Sequence, residues 1–235
     1  METNPRVAVV TGTSRGVGQV LAEYLLDAGY TVYGMSRSDS PIQNDKFVHI
    51  ATDFRDAESI SNSFALIRKD TRVIDVLVNN AATLTSQYLM IMPTDAARAM
   101  VETNLLAPVL VTKEALRFLR KSDNGRIVNI SSMAPRIKAP GDAVYAATKA
   151  GLESFSEITA REVAAYGVTS NTIAISAFDS EMFRSLNQEI VGQVIGSLVQ
   201  PKMLSREDIT NVLQFLISKE SSAITAQTIH LGGVS

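Results

Sequence analysis

Two residues one helical turn apart, Tyr145 and Lys149, are the side chains of this sequence best suited to chemistry. Positions i and i+4 share one face of a helix, so the Lys149 ammonium can lie close to the Tyr145 phenol or to a ribose beside it. A phenol has a reference pKa of about 10, and a nearby ammonium, together with a positively charged oxidised cofactor beside it, would lower that pKa towards working pH. Tyr145 is therefore predicted to give a proton to a carbonyl oxygen, while Ser132 hydrogen-bonds the same oxygen.

A glycine-rich turn near the start of the sequence, Thr11–Gly18, indicates where a dinucleotide binds. Gly12 permits a tight turn after a strand, and Gly16 and Gly18 let the backbone and a helix approach a pyrophosphate at the positive helix N-terminus. The spacing is Gly-x3-Gly-x-Gly, which is weak by itself and differs from the commoner Gly-x-Gly-x2-Gly. The flanking strand and helix patterns strengthen it. A bound cofactor delivering hydride, beside a phenol delivering a proton, predicts a redox enzyme.

Apolar runs alternate with segments of helical period along the chain, which predicts the elements that position these residues. The predicted strands are Val7–Val10, Thr31–Ser36, Phe47–Ile50, Val73–Val78, Arg126–Ile130, Val168–Ile175 and Gln227–Leu231. The predicted helices cover residues 17–28, 56–69, 94–119, 143–166, 180–195 and 205–217. Strands that are apolar on both faces and joined by helices lie parallel between two helical layers. The sequence therefore predicts an α/β doubly wound parallel sheet, a Rossmann fold, as one domain over residues 1–235.

Composition limits the partners of the protein. The chain has 235 residues, of which 46% are hydrophobic, and a net charge of -2 without a run of like charges, so neither nucleic acid nor a membrane surface is an expected partner. There are no cysteines, and the two histidines, His49 and His230, carry no metal-ligand or triad spacing, so we predict no metal site. No apolar stretch reaches the ~18 residues of a membrane span. We expect a cytoplasmic protein.

The end of the second predicted strand bears on the choice of cofactor. An NAD site needs an acidic group there for the ribose hydroxyls, whereas the 2′-phosphate of NADP needs cations. Arg37 follows this strand and Arg15 lies in the glycine turn, so two guanidinium groups can clamp a phosphate, which favours NADP(H) over NAD(H). The alternative is that Arg37 is a solvated surface residue and Asp39 binds the ribose. Asp53, after the third strand, is a candidate for the adenine amino group or an ordinary turn residue.

Taken together, these motifs resemble those of the short-chain dehydrogenases/reductases, over essentially the whole chain. The motifs that carry the resemblance are Thr11–Gly18, Asp53, Asn79–Ala81, Asn104, Ser132 and Tyr145–Lys149. The resemblance implies a catalytic set of Asn104, Ser132, Tyr145 and Lys149. It implies cofactor contacts at Gly12, Ser14, Arg15, Gly16, Val17, Gly18, Arg37, Asp53, Phe54, Asn80, Ala81, Tyr145, Lys149 and Ser180.

The resemblance also implies specific roles for two of these residues. Asn104 would position a water in a proton relay from Lys149, although a solvated polar position on a helix is the alternative. Ser180 would stand where the family has a threonine that holds the nicotinamide carboxamide. Ala226 replaces a usual glycine with the smallest side chain, and we expect little effect there.

Within the family the sequence is most similar to bacterial 3-oxoacyl-acyl-carrier-protein reductases, through Tyr145–Leu152, residues 180–182 and residues 224–233. This implies NADPH-dependent reduction of a ketone, first of all a 3-oxoacyl thioester, by a homotetramer built through the helices near 94–119 and 143–166. Ile175-Ser176 departs from the usual Pro-Gly. Asp123 and Tyr166 stand where the reductases often have basic residues that dock the acidic carrier protein. The case for acyl carrier protein as a partner is therefore weaker. The rival hypotheses are a reductase or dehydrogenase for another ketone or alcohol, such as a sugar, steroid or polyketide, and a non-catalytic NADP-binding regulatory protein.

Overall fold

A computed structural model describes residues 5–184, 191–192 and 195–233. Seven strands form one sheet in the order β3-β2-β1-β4-β5-β6-β7, and every neighbouring pair is parallel. The strands are β1 Val7–Thr11, β2 Thr31–Ser36, β3 Phe47–Ala51, β4 Val76–Asn79, β5 Arg126–Ser132, β6 Thr169–Ile175 and β7 Thr228–His230. The predicted doubly wound α/β sheet is confirmed. Within the described ranges, no helix has the length and apolarity that a membrane crossing requires.

Eight α-helices have their bounds within the described part of the chain. They are α1 Gly16–Asp27, α2 Ala57–Asp70, α3 Thr94–Val101, α4 Ala107–Leu119, α5 Ala134–Ile137, α6 Ala143–Val163, α7 Glu181–Arg184 and α8 Arg206–Ile217. The helix predicted over 94–119 is divided, because a π-helical turn, Glu102–Leu106, lies between α3 and α4. Of the helix predicted over 180–195, residues 185–190 and 193–194 lie outside the described residues.

The sheet is buried between two helical layers, as the uniformly apolar strands predict. Val9 of β1 faces a core that α2, α4 and α6 close, whereas Val10 faces a second core that α1 and α8 close. Successive strand residues point to opposite faces, so each strand supplies both cores. The two layers hold the sheet rigid, and its carboxyl edge stays open between them.

Two local predictions are wrong for identifiable reasons. The fourth strand begins at Val76 rather than Val73, because the Thr71 hydroxyl accepts a hydrogen bond from the Val73 amide at 3.2 Å and holds a turn there. Ala226 has a φ of 58°, in the left-handed region, although we expect little effect from alanine at this position. A Cβ in that conformation costs about 1–2 kcal/mol, so the replacement of glycine is not neutral.

Candidate active site

An open cleft of about 560 Å³ lies at the carboxyl edge of the sheet. The chain passes from β1 to β2 on one side and reaches β4 on the other side of β1, so the cleft lies at the switch point where such sheets bind ligands. Gly18 and Asn104 do not line it. The predicted site residues that do line it are Gly12, Ser14, Arg15, Gly16, Val17, Arg37, Asp53, Phe54, Asn80, Ala81, Ser132, Tyr145, Lys149 and Ser180.

The glycine turn is held in place by the end of β4. The Thr11 hydroxyl accepts hydrogen bonds from the backbone amides of Asn80 at 2.8 Å and Ala81 at 3.0 Å. The Asn80 side chain donates to the Thr11 carbonyl at 2.8 Å. Gly12 and Gly16 have φ values of 77° and 61°, which disfavour any residue with a Cβ. The turn is therefore fixed before any ligand arrives.

Gly18 has a packing role rather than a place in the cleft. A Cβ at Gly18 would lie 2.2 Å from the Gly12 carbonyl oxygen and 2.3 Å from Nδ2 of Asn80. Only glycine lets α1 approach the turn and β4 this closely. Of the glycines predicted to let the backbone approach a pyrophosphate, Gly18 serves the packing of α1 on the turn and does not line the cleft.

The N-terminus of α1 fits a phosphate group. Arg15 stands at its N-cap position without a side-chain capping bond, and the first turn contains no acidic residue. The first backbone amides of a helix lack intrahelical partners, and together with the helix dipole they attract anions. Because the cleft opens at this helix end, the turn can hold the pyrophosphate of a dinucleotide.

The two arginines of the predicted phosphate clamp have different surroundings. Arg37 lines the cleft and is exposed, and it forms no hydrogen bond or ion pair with the part of the chain that is described. Arg15 pairs instead with Glu181 at the start of α7, at 2.8 Å, with both side chains about 70% exposed (71% and 70%). Such an exposed pair contributes little stability and can open. Arg37 is the cation that is free to meet a phosphate.

Two carboxylates were candidates for cofactor contacts. Asp53 lines the cleft, but its Oδ1 accepts a hydrogen bond from the Arg55 amide at 2.9 Å, as in an ordinary turn. Asp39 is absent from the described lining of the cleft and lies 3.8 Å from Nδ1 of His49. The structure thus places Arg37, and not Asp39, on the cleft wall.

Tyr145 lies on α6, opposite Ser132 at the end of β5. Burial raises the pKa of Tyr145 to about 12, the hydrogen bond with Ser132 lowers it in part, and the charge of Asp142 raises it further. Without a ligand, Lys149 does not bring this pKa towards neutrality, because loss of hydration outweighs the hydrogen bond. The lowering expected with an oxidised cofactor beside the phenol stays a prediction. At neutral pH the phenol keeps its proton, as a proton donor must.

Lys149 lies beneath the phenol. Its Nζ is 5.8 Å from the centre of the Tyr145 ring and donates to the Ile130 carbonyl at 2.8 Å. Burial lowers the pKa of Lys149 to about 8, and the carboxylate of Glu153 opposes that shift. Glu153 is itself fixed by the Ser131 hydroxyl, which donates to it at 2.6 Å. Lys149 thus remains largely charged at neutral pH.

Asn104 is fully buried in the π-helical turn, which excludes the solvated alternative. Its Oδ1 accepts from the Thr83 amide at 2.8 Å, and its Nδ2 donates to the Thr83 carbonyl at 2.8 Å. The same Nδ2 lies 3.3 Å from the Thr148 hydroxyl, next to Lys149 in sequence. Asn104 therefore ties the cleft wall at Thr83 to α6.

The loop after β6 forms the remaining wall. Ser180 has its hydroxyl engaged by the Phe183 amide at 3.2 Å, and its Cβ is 3.7 Å from where a Cβ on Gly16 would lie. Ser176 replaces the glycine usual in this loop, and its buried hydroxyl has no partner among the described residues. This side of the cleft is thus more polar than Pro-Gly would make it.

Some cleft residues were missed by sequence reasoning. Asp142 and Thr83 line the cleft, and Glu153 supports Lys149 from below. Asp142 precedes Tyr145 by one helical turn, so helical periodicity offered a signal for it. Thr83 and Glu153 had no such signal, because their roles depend on the π-helical turn and on the end of β5.

Each histidine contacts another polar side chain of the described residues. Nε2 of His49 lies 3.1 Å from the Ser36 hydroxyl, and Nε2 of His230 accepts from Arg136 at 2.7 Å. Across residues 5–184, 191–192 and 195–233, no group of three or more potential ligands is arranged to hold a metal ion.

Comparison with known proteins identifies the class to which this fold and cleft belong. The sequence profile described as short chain dehydrogenase matches residues 6–191. The chain belongs to this family, as the motifs predict, and is an oxidoreductase acting on alcohol or ketone groups.

Individual relatives cover the chain almost completely. A 3-oxoacyl-acyl-carrier-protein reductase of Vibrio cholerae is 34% identical over 239 residues, which cover 99% of this chain and 98% of that protein. The protein of the same name from Escherichia coli is 33% identical over 241 residues, with the same coverage of 99% and 98%. The chain is thus similar over its full length to ketone reductases.

Solved structures agree on the fold. An actinorhodin polyketide ketoreductase with NADPH has a TM-score of 0.88 at 24% identity, with 99% of this chain and 98% of that chain covered. A ligand-free aldohexose dehydrogenase of Thermoplasma acidophilum has a TM-score of 0.89 at 24% identity, with 97% and 93% covered. At this identity the likeness shows a shared architecture.

Proposed function

We propose that this protein reduces a ketone to a secondary alcohol with NADPH. The observation that carries the proposal is the grouping of Ser132, Tyr145 and Lys149 in the cleft that also contains the glycine turn. NADPH, when bound, supplies a hydride to the carbonyl carbon. The protein's own residues must then hold the carbonyl oxygen, protonate it and stabilise the charge left behind.

Each of the three side chains has the contacts that its role requires. The Ser132 oxygen accepts from the Ala134 amide at 3.1 Å, so its hydroxyl hydrogen can be donated to the carbonyl oxygen. Tyr145 gives its proton to that oxygen as the C=O electron pair moves there, which leaves a phenolate. The Lys149 ammonium stabilises the phenolate, and one Nζ hydrogen is used at Ile130, which leaves two for a ribose.

The preference for NADPH depends on Arg37. It is the cation on the cleft wall without a partner in the described structure, and it follows β2, where the ribose of a dinucleotide lies in such sheets. A bidentate guanidinium contact suits a 2′-phosphate and offers nothing comparable to a bare ribose hydroxyl.

A 3-oxoacyl thioester is the first substrate to assay, because the relatives named above are reductases of 3-oxoacyl groups. An acyl carrier protein as its carrier has weaker support. Asp123 and Tyr166 are both exposed, and neither offers a positive charge to an acidic partner. A small thioester or a free ketone is thus the simpler substrate.

The function is tested by following NADPH oxidation with a panel of ketones and acyl thioesters. Tyr145→Phe removes the donated proton and leaves the ring, so the rate with the best substrate should fall by about 10²–10⁴-fold. Equal rates for the wild type and Tyr145→Phe would refute the mechanism. The absence of turnover with every ketone would favour the non-catalytic, NADP-binding alternative.

Cofactor preference has its own test. Arg37→Ala should weaken NADPH binding far more than NADH binding, measured by the fluorescence of the reduced cofactor. Arg72→Ala, an exposed arginine in the turn after α2, is the matched control for loss of one positive charge. If Arg37→Ala weakens the binding of NADPH and NADH equally, the proposed contact between Arg37 and the 2′-phosphate is refuted.

Exposed apolar side chains support a homotetramer built through the two predicted helices. Val101 and Leu106 in the α3–α4 segment, and Ile158 and Tyr166 in or after α6, are each 46–56% exposed (46%, 49%, 56% and 53%). Light scattering should give four times the chain mass of 25.4 kDa. Leu106→Glu should lower that mass, and an unchanged mass would place the interface elsewhere.

A further inference from the structure

Asp142 is a carboxylate of the cleft wall that the proposed reduction does not use. It stands at the N-cap position of α6, one helical turn before Tyr145, and lines the same cleft. Positions i and i+3 of a helix are neighbours, so this carboxylate lies on the side of α6 that presents the phenol. Its negative charge accordingly raises the pKa of Tyr145.

The hydrogen bonding of Asp142 is incomplete. Aspartate at an N-cap usually accepts a hydrogen bond from an amide of the first turn, but Asp142 makes no such side-chain bond. Its Oδ1 is buried and has no hydrogen-bond partner within the described ranges, and no ion pair there involves it. The helix therefore does not explain why the carboxylate is there.

Asp142 is only partly buried, lines the cleft, and receives no hydrogen bond on its carboxylate within the described ranges. A molecule bound beside Tyr145 that brings a hydrogen-bond donor to this carboxylate is therefore favoured over one that brings an acceptor. The carbonyl oxygen that a 3-oxoacyl thioester carries beside its ketone is an acceptor, so that substrate gains no hydrogen bond from Asp142. A hydroxyl group on the neighbouring carbon is small enough and donates a hydrogen.

We propose that Asp142 selects substrates that carry a hydroxyl group on the carbon next to the ketone. The hydroxyl donates to the Asp142 carboxylate while Ser132 and Tyr145 hold the carbonyl oxygen, and the product is a vicinal diol. This inference rests on the proposed ketone reduction, and it does not require a thioester as the substrate.

Two ketones of nearly equal shape test this selection. In 1-hydroxy-2-butanone a hydroxyl replaces one terminal methyl of 3-pentanone, so the two have nearly the same shape and the hydroxyl adds a donor. The hydroxyl also makes the carbonyl more electrophilic, but this effect is the same in the wild type and in every variant. For the wild type, the ratio of kcat/KM for the hydroxyketone to kcat/KM for 3-pentanone should be at least about ten, because one hydrogen bond to a charged group is worth that much. Asp142→Leu should lower that ratio at least about tenfold, and Asp142→Asn, a neutral acceptor, should lower it less.

The control is Asp123→Asn, which removes the same charge from an exposed turn outside the described cleft lining and should leave the ratio unchanged. Because the ratio compares two substrates on one enzyme, a general loss of folded protein does not move it. A ratio near one in the wild type, or a ratio unchanged in Asp142→Leu, overturns the selection while ketone reduction stands. If neither these ketones nor any thioester is reduced, the proposed function fails and the inference fails with it.

Discussion

Replacing Lys149 by methionine removes the buried ammonium beneath Tyr145 and keeps an unbranched side chain. Burial lowers the pKa of Lys149 from about 10.5 to about 8. Since one unit is worth about 1.4 kcal/mol, holding the charged form in the folded protein costs about 3 kcal/mol below pH 8. A lysine with a lowered folded pKa binds more protons when unfolded, so its unfavourable contribution disappears as pH rises from about 8 to about 10.5.

The free energy of unfolding, measured in urea without cofactor at several pH values, reports this cost. The stability advantage of Lys149→Met over the wild type should shrink by about 2 kcal/mol between pH 7.5 and pH 10. Methionine leaves the Ile130 carbonyl without its hydrogen bond, which costs about 1–3 kcal/mol at every pH. This cost shifts the stability difference between the two proteins by a constant amount and does not alter how that difference changes with pH. Other titrating groups cancel in the difference between the two proteins.

Lys113→Met, an exposed lysine on α4, controls for the loss of one positive charge. A stability difference that stays constant from pH 7.5 to pH 10 for Lys149→Met would show that Lys149 is not desolvated as the fold indicates. The inference that loss of hydration brings the pKa of Lys149 down to about 8 would then be wrong.

Three further substitutions test the surroundings of the site. Gly18→Ala should cost about 1–3 kcal/mol of unfolding free energy, since its Cβ would lie 2.2 Å from the Gly12 oxygen, and an unchanged urea midpoint would contradict that packing. Glu153→Gln removes the charge that raises the pKa of Lys149, so the alkaline limb of kcat/KM for reduction should move to lower pH, and a profile identical to the wild type would exclude this role. Ala226→Gly should stabilise the protein by about 1 kcal/mol in the same urea assay, because it relieves a left-handed alanine, and any destabilisation would refute that reading.

The sheet was predictable because each buried strand leaves a continuous apolar run and each helix a 3.6-residue period. The alternation of these patterns predicts a doubly wound parallel sheet, whereas the order of its strands comes from the structure. The division between α3 and α4 was not predictable, because a π-helical turn leaves the apolar pattern on both sides nearly intact. The π-helical turn lets the Asn104 side chain hydrogen-bond the backbone of Thr83, and the sequence pattern contains no sign of that contact.

The motifs and the family resemblance predicted most of the residues that line the cleft, Gly18 and Asn104 excepted, but not what each one contacts. Arg15 and Arg37 look equivalent in sequence, yet Glu181, far along the chain, pairs with only one of them. Lys149 looks like a group that lowers the pKa of Tyr145, but the burial of both residues decides the direction of each shift. Such effects depend on long-range packing and desolvation, which a local pattern does not contain.

The π-helical turn at Glu102–Leu106 also constrains how this chain can change. It contains one residue more per turn than an α-helix, and each residue turns the helix by about 100°. Deleting one residue to straighten the helix would rotate α4 against α3, and either Met100 or the pair Val111 and Phe118 would leave the core. Core packing therefore maintains the position of the Asn104 side chain, because a deletion that removes the π-helical turn must also unpack one helical layer of the fold.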